Sequence, residues 1–193
     1  ANPAVTARVF LLICFSNTLA GGALPLISSN PDLVAGATPL NVIAAGGELP
    51  SIMDMLLGLR GGALGETCII ALLLGFAYLV ARKVIHFETP LIMIATVFVL
   101  SLIVGGDAKL ALYQVLSGGL VFGAVFMATD YVTSPDTALG KIVFGIGCGL
   151  ITGLIRVYGA YPEGVSFAIL LMNILNPYII KLTRKKAFGG VKS

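Results

Sequence analysis

Thr38 carries the only hydroxyl in the Gly36–Leu40 loop of a stretch of small residues, Asp32-Leu33-Val34-Ala35-Gly36-Ala37-Thr38-Pro39-Leu40. Little side-chain bulk surrounds it. Thr38 suits the N-cap of a short helix over Pro39–Ala45, with Pro39 at its first position. The residues alone offer this hydroxyl as the cap of that helix.

Asp130 is the second group with chemical promise. It follows Phe126-Met127-Ala128-Thr129 and precedes Tyr131-Val132-Thr133-Ser134-Pro135. An acid at a helix C-terminus meets the unfavourable end of the dipole. It calls for a cation, a hydroxyl cluster such as Thr129, Thr133 and Ser134, or a bound cofactor; the plain alternative is an interface carboxylate in water. Glu66 and Asp107 sit at outer helix ends, where Glu66 would cap a helix starting at Leu64. His86 is the only histidine and reads as a solvated loop residue beside Arg82 and Lys83. Cys14, Cys68 and Cys148 are isolated in apolar segments and read as buried, inert thiols rather than metal ligands. Phosphate-cradling loops and nucleophile–base pairs are absent from the sequence.

The elements that must position these groups are membrane helices. Hydrophobic residues make up 58% of the chain and charged residues 11%, against roughly 25% charged in soluble domains. Six hydrophobic segments are expected: Val9–Ile27, Leu64–Arg82, Thr89–Gly106, Leu110–Thr129, Leu139–Tyr158 and Gly164–Ile180. A span needs about 20 residues at ~1.5 Å each. The fold class is therefore all-α, a polytopic membrane helix bundle forming a single domain over residues 1–193. Its net charge of +3 comes largely from Lys181, Arg184, Lys185, Lys186 and Lys192, a membrane flank rather than a nucleic-acid surface.

Positive charge orients the bundle. With the C-terminal tail inside, Arg8, Arg82, Lys83, Lys141, Lys181, Arg184, Lys185, Lys186 and Lys192 fall inside, and Arg60, Lys109 and Arg156 outside. The connection over residues 28–63, with Thr38, then faces outside. A second short helix is expected over Ile52–Leu59, ended by Arg60-Gly61-Gly62. Most glycines, including Gly145, Gly147, Gly149 and Gly153, read as close helix packing. Gly118-Gly119 offers an alternative, a break inside the Leu110–Thr129 span of the kind transporters use. Tyr158 and Tyr161 suit an aromatic belt. The chain begins Ala1-Asn2-Pro3, without a signal peptide's charged n-region, and the expectation is the C-terminal part of a longer subunit.

Several strings together resemble one family. They are Asn2-Pro3-Ala4-Val5-Thr6-Ala7-Arg8-Val9-Phe10, Gly36-Ala37-Thr38-Pro39-Leu40, Arg60-Gly61-Gly62-Ala63-Leu64-Gly65-Glu66-Thr67, the run from Phe122 to Pro135, and the run from Ala160 to Asn173. Over nearly the whole chain they resemble the D subunit of the Rnf ion-translocating ferredoxin:NAD⁺ oxidoreductase. The B subunit of the sodium-pumping NADH:quinone oxidoreductase is the nearest alternative.

The resemblance implies one half of a two-repeat fold similar to urea transporters, and FMN joined by a phosphoester to Thr38. The attachment motif is matched by Asp32, Gly36, Ala37 and Thr38, while Ala35 stands where Ser or Thr is usual. A flavin transferase would form the bond on the outer face. The resemblance further implies electrons arriving from the outer, flavin-bearing G subunit, with the C, A, E and B subunits as other partners. Transfer inward across the membrane would be coupled to Na⁺ or H⁺, with Asp130 as a coupling residue. A second, non-covalent flavin such as riboflavin is compatible with it. The chain itself would hold no complete substrate site. Two further classes compete: a flavin-free, urea-transporter-like channel, and a purely structural membrane scaffold.

Overall fold

The computed structural model describes residues 1–15, 39–40, 43, 51–59, 65–159 and 164–184. Among these, every regular element is helical. Asn2 caps α1 (Pro3–Cys14), its Oδ1 accepting from Ala4 N at 2.9 Å, and Pro3 takes the first position, where its missing N–H costs nothing. A short α2 (Ile52–Leu57) is capped by Ser51, whose Oγ accepts from Asp54 N. Then come α3 (Ile69–Ala81), α4 (Glu88–Gly105) and α5 (Ala108–Leu116), the last capped by Asp107 through Lys109 N at 2.9 Å. The helix α6 starts at Leu120–Phe122 and continues through Gly123–Met127 as a π-helical turn. Two long helices close the fold: α7 (Ala138–Tyr158), capped by Thr137, and α8 (Val165–Thr183).

Three of these helices, α4, α7 and α8, are long and apolar enough to cross a membrane, and α5 with α6 makes a fourth if the bent pair is one span. This is a multi-pass helical membrane protein. The remaining apolar helices, α1 and α3, are shorter. At 13 residues, α3 rises only ~20 Å against a hydrocarbon core of ~30 Å.

Four elements differ from expectation. The helix expected over Val9–Ile27 already begins at Pro3, behind the Asn2 cap, and ends at Cys14, while residues 16–27 lie outside the described ones. The helix expected over Leu64–Arg82 begins at Ile69, because Gly65 takes a φ of 89°, outside the helical region. The helix expected to end at Arg60-Gly61-Gly62 ends at Leu57, stopped by Gly58 in the left-handed region at φ 86°. The Leu110–Thr129 segment is not one rod. It breaks at Ser117–Gly119, and α5 and α6 meet at 62°. Gly118 makes the turn with a φ of 63°.

Packing is closest between α4 and α7. The glycines of α7 do what their spacing predicts. A Cβ on Gly149 would stand 2.6 Å from Thr96 Cβ and 2.9 Å from Met93 O, and Gly145 and Gly153 meet Ile92 and Leu100 of the same helix. On another face of α7, Gly147 admits Met172 of α8. Small residues thus let the backbones approach, which is the main source of helix adhesion where lipid is as apolar as the side chains. The buried core joins Val5 and Val9 of α1, Met93 and Val97 of α4, Leu120 of α6, Phe144 and Cys148 of α7 and Ile169 of α8.

One polar tie crosses this core. With its amide oriented to satisfy both partners, Asn173 of α8 donates to Thr133 O at 3.2 Å and accepts from Asn2 N at 3.3 Å. Asn173 is buried, so this carboxamide locks the start of the chain to the turn after α6.

Candidate functional site

Three places carry polar chemistry in this apolar bundle. The first is the Thr38 loop singled out in the sequence. Asp32, Ala35, Gly36, Ala37 and Thr38 lie outside the described residues. Immediately after them, Pro39 and Leu40 are helical and buried, as expected of a helix starting behind Thr38, and Ile43 is helical too.

The second is the Asp130 turn. Thr133 donates through its hydroxyl to Asp130 Oδ2 at 2.9 Å. Ser134 donates twice to the Asp130 backbone carbonyl, from Oγ at 2.6 Å and from N at 3.0 Å. The Thr129 hydroxyl turns back to Val125 O instead. So of the three hydroxyls expected around this acid, one meets its carboxylate and one its carbonyl. Beside the turn lies a cavity of about 270 Å³, lined by His86, Thr89, Thr129, Tyr131, Asp136 and Lys141 among others. Asp130 is flanked by two lining residues but does not itself line it. The Tyr131 hydroxyl donates to Val84 O, closing the turn against the loop that follows α3. A histidine, a lysine and an aspartate thus share one cavity with Val84, Ile85 and Pro135, and His86 is a cavity residue rather than only a solvated one.

The third place was not read as a site from sequence. Where α5 stops and α6 starts, charged side chains converge from distant segments. Arg8 Nη2 of α1 stands 3.7 Å from Glu66 Oε1, with the Glu66 side chain 5% exposed and that of Arg8 31%. The Glu66 carboxylate lies against the bare Cα of Gly119. From the other side, Arg156 of α7 donates to Gln114 O and, at 3.3 Å, to Ser117 O, the carbonyl end of α5. Glu66 therefore pairs with a cation instead of capping a helix at Leu64. The charge count had placed Arg8 and Glu66 on opposite sides of the membrane. Their contact removes Arg8 from the inner tally, and the inward reach of Arg156 removes it from the outer one. Eight against two remain, and the bias persists. The signal available in the sequence was the coincidence of Gly118-Gly119 with two arginines and a glutamate in otherwise apolar surroundings, since ionisable residues at membrane depth mark function or a buried pair.

A broken span between long helices is a feature this bundle shares with many membrane transporters. This chain belongs to the NQR2, RnfD, RnfE family, whose model matches residues 1–189. It is 44% identical to the D subunit of the Na(+)-translocating ferredoxin:NAD(+) oxidoreductase complex of Acetobacterium woodii, over 99% of this chain and 59% of that protein. It is 40% identical to the D subunit of the proton-translocating ferredoxin:NAD(+) oxidoreductase complex of Clostridium ljungdahlii, over 97% of this chain and 61% of that protein. To the D subunit of the ion-translocating oxidoreductase complex of Stutzerimonas stutzeri it is 36% identical, over 97% and 63%. The chain spans about three fifths of the length of these curated relatives.

Proposed function

We propose that this chain serves in a D-type subunit of an ion-translocating ferredoxin:NAD⁺ oxidoreductase of the Rnf kind, carrying FMN and passing electrons across the membrane in step with Na⁺ or H⁺ movement. The observation that carries this reading is the 44% identity over 99% of the chain to a protein so named. The partners are then the other subunits of the complex, the outer flavin-bearing G subunit first among them.

Thr38 is the residue assigned to the cofactor, through a phosphoester on its hydroxyl. Buried helical residues directly behind it support this, since a helix start there presents backbone N–H groups to a phosphate. Gly36 and Ala37 leave room for the phosphate, and Asp32 completes the motif a flavin transferase would read. The flavin, when bound, supplies one- and two-electron redox chemistry. The chain's own task is to hold it at a fixed place on the outer face.

Asp130 is assigned to ion coupling. Its carboxylate keeps one hydroxyl donor, Thr133, beside a polar cavity. The broken span is the observation that favours the competing reading, a flavin-free channel. The two separate on one gel. The full-length subunit, expressed with its flavin transferase, fluoresces under ultraviolet light after denaturation, and its intact mass exceeds the polypeptide mass by one flavin phosphate. A non-fluorescent protein of unmodified mass sinks the flavin assignment and leaves the channel.

A further inference from the structure

A span that stops inside a membrane leaves its last carbonyls without partners from its own helix. In transporters such carbonyl ends coordinate translocated cations. Here the end is that of α5, and a side chain already occupies it. Arg156 enters from α7 and donates to Gln114 O and Ser117 O.

The surroundings of that guanidinium are rich in oxygen. Ser117 is fully buried, and so is Thr152, one helical turn before Arg156 on the same face of α7. Neither hydroxyl has a hydrogen-bond partner among the described residues, nor does the side-chain oxygen of Gln114. The guanidinium meets two carbonyls, and the uncommitted oxygens belong to the same two residues and to Thr152 one turn before it; carbonyl and hydroxyl oxygens are the ligand type a hard cation takes. Arginine also keeps its charge at every accessible pH, and its planar fork reaches two carbonyls at once.

We propose that Arg156 is a tethered cation. Its guanidinium fills an oxygen-lined site at the break that would otherwise admit Na⁺, and so seals this subunit against passive cation flow. The coupling ion then does not cross through the α5–α6 break. This rests on the reading above only in that the complex moves ions; the residue and its site stand on geometry alone.

The test uses the purified complex with its full-length subunit, reconstituted in liposomes without any electron donor. Passive uptake of radioactive Na⁺ is measured, so a failed flavin assignment leaves the readout untouched. Wild-type vesicles are expected to be tight. In Arg156→Gln, uptake rises about tenfold or more, and millimolar guanidinium ion added from outside closes the leak again. A helix cap of purely structural value gives neither the leak nor its reversal. An Arg156→Gln complex with normal subunit content and melting temperature but wild-type tightness overturns the proposal, and so does a leaky wild type. Should Arg156→Gln fail to assemble, Arg156→Met replaces it, keeping a long side chain without the charge; a comparable rise in uptake is expected, and wild-type tightness there overturns the proposal equally.

Discussion

The carboxylate of Glu66 occupies the space that a side chain on Gly119 would need. The backbone of Gly119 is at a φ of −83°, accessible to any residue, so its lack of a side chain matters for room and not for conformation. Gly118 is the opposite case, where the φ of 63° itself favours glycine. Adjacent glycines thus serve the break in two different ways.

Gly119→Ala is expected to displace Glu66 and to cost about 1–3 kcal/mol through overpacking. Gly118→Ala should cost about 1–2 kcal/mol through the left-handed backbone alone. The two are told apart by Glu66→Ala, which relieves Gly119→Ala and leaves Gly118→Ala unchanged. Thermal unfolding in detergent, run as a double-mutant cycle, measures both; equal relief of the two variants contradicts the assignment.

Arg8 and Glu66 differ sixfold in side-chain exposure, 31% against 5%. Removing Arg8 takes a cation away from a buried carboxylate, whereas removing Glu66 takes an anion away from a guanidinium that is already partly exposed. Arg8→Ala should therefore destabilise more, by about 3–5 kcal/mol, the range for breaking a buried pair from one side. A larger loss in Glu66→Ala reverses that order and the reasoning behind it.

Thr38→Ala in the full-length subunit should yield a membrane-inserted but dark band on a denaturing gel, and Thr38→Ser should keep fluorescence. Ala35→Ser restores the residue usual in the attachment motif and is expected to raise the flavin content per chain when the transferase is limiting. A fluorescent Thr38→Ala band places the flavin elsewhere.

Asp130→Asn removes the charge but keeps the hydrogen-bond geometry with Thr133. Ion transport by the assembled complex should fall while subunit content stays the same. Vesicles that accumulate ions at the wild-type rate return Asp130 to an interface carboxylate.

A cysteine at Ser29, in a protein without native cysteines, should react in intact cells with a membrane-impermeant thiol reagent, because the charge bias places that connection outside. Labelling confined to inverted vesicles refutes the orientation.

Much of the bundle was legible in the residue order. Hydropathy located α4, α7 and α8 to within a few residues, because uncharged runs of that length have few other uses. The glycine ladder of α7 announced its packing for the same reason. The starts of α4 and α8 fell within one residue of expectation without any side-chain cap, so hydropathy alone set them. At Gly65 and Gly58 a single glycine took a positive φ, and no pattern of apolar residues records that choice. The Arg8–Glu66 pair was hidden because its partners are 58 positions apart and each alone reads as a flank charge. The Asp130 hydroxyls were visible as a cluster, since they lie within one turn of it. The helical residues after Thr38 agree with the helix expected there, while the acceptor hydroxyl itself lies outside the described residues.

The carboxamide of Asn173 makes α1 and the Asp130 turn mechanically one piece. Asn2 N and Thr133 O hang from the two ends of the same amide, in the middle of a spanning helix. A displacement of α1 is therefore carried to the turn beside the cavity through this buried amide. Asn173 is thus a polar strut set beside the apolar packing of Val5 and Val9.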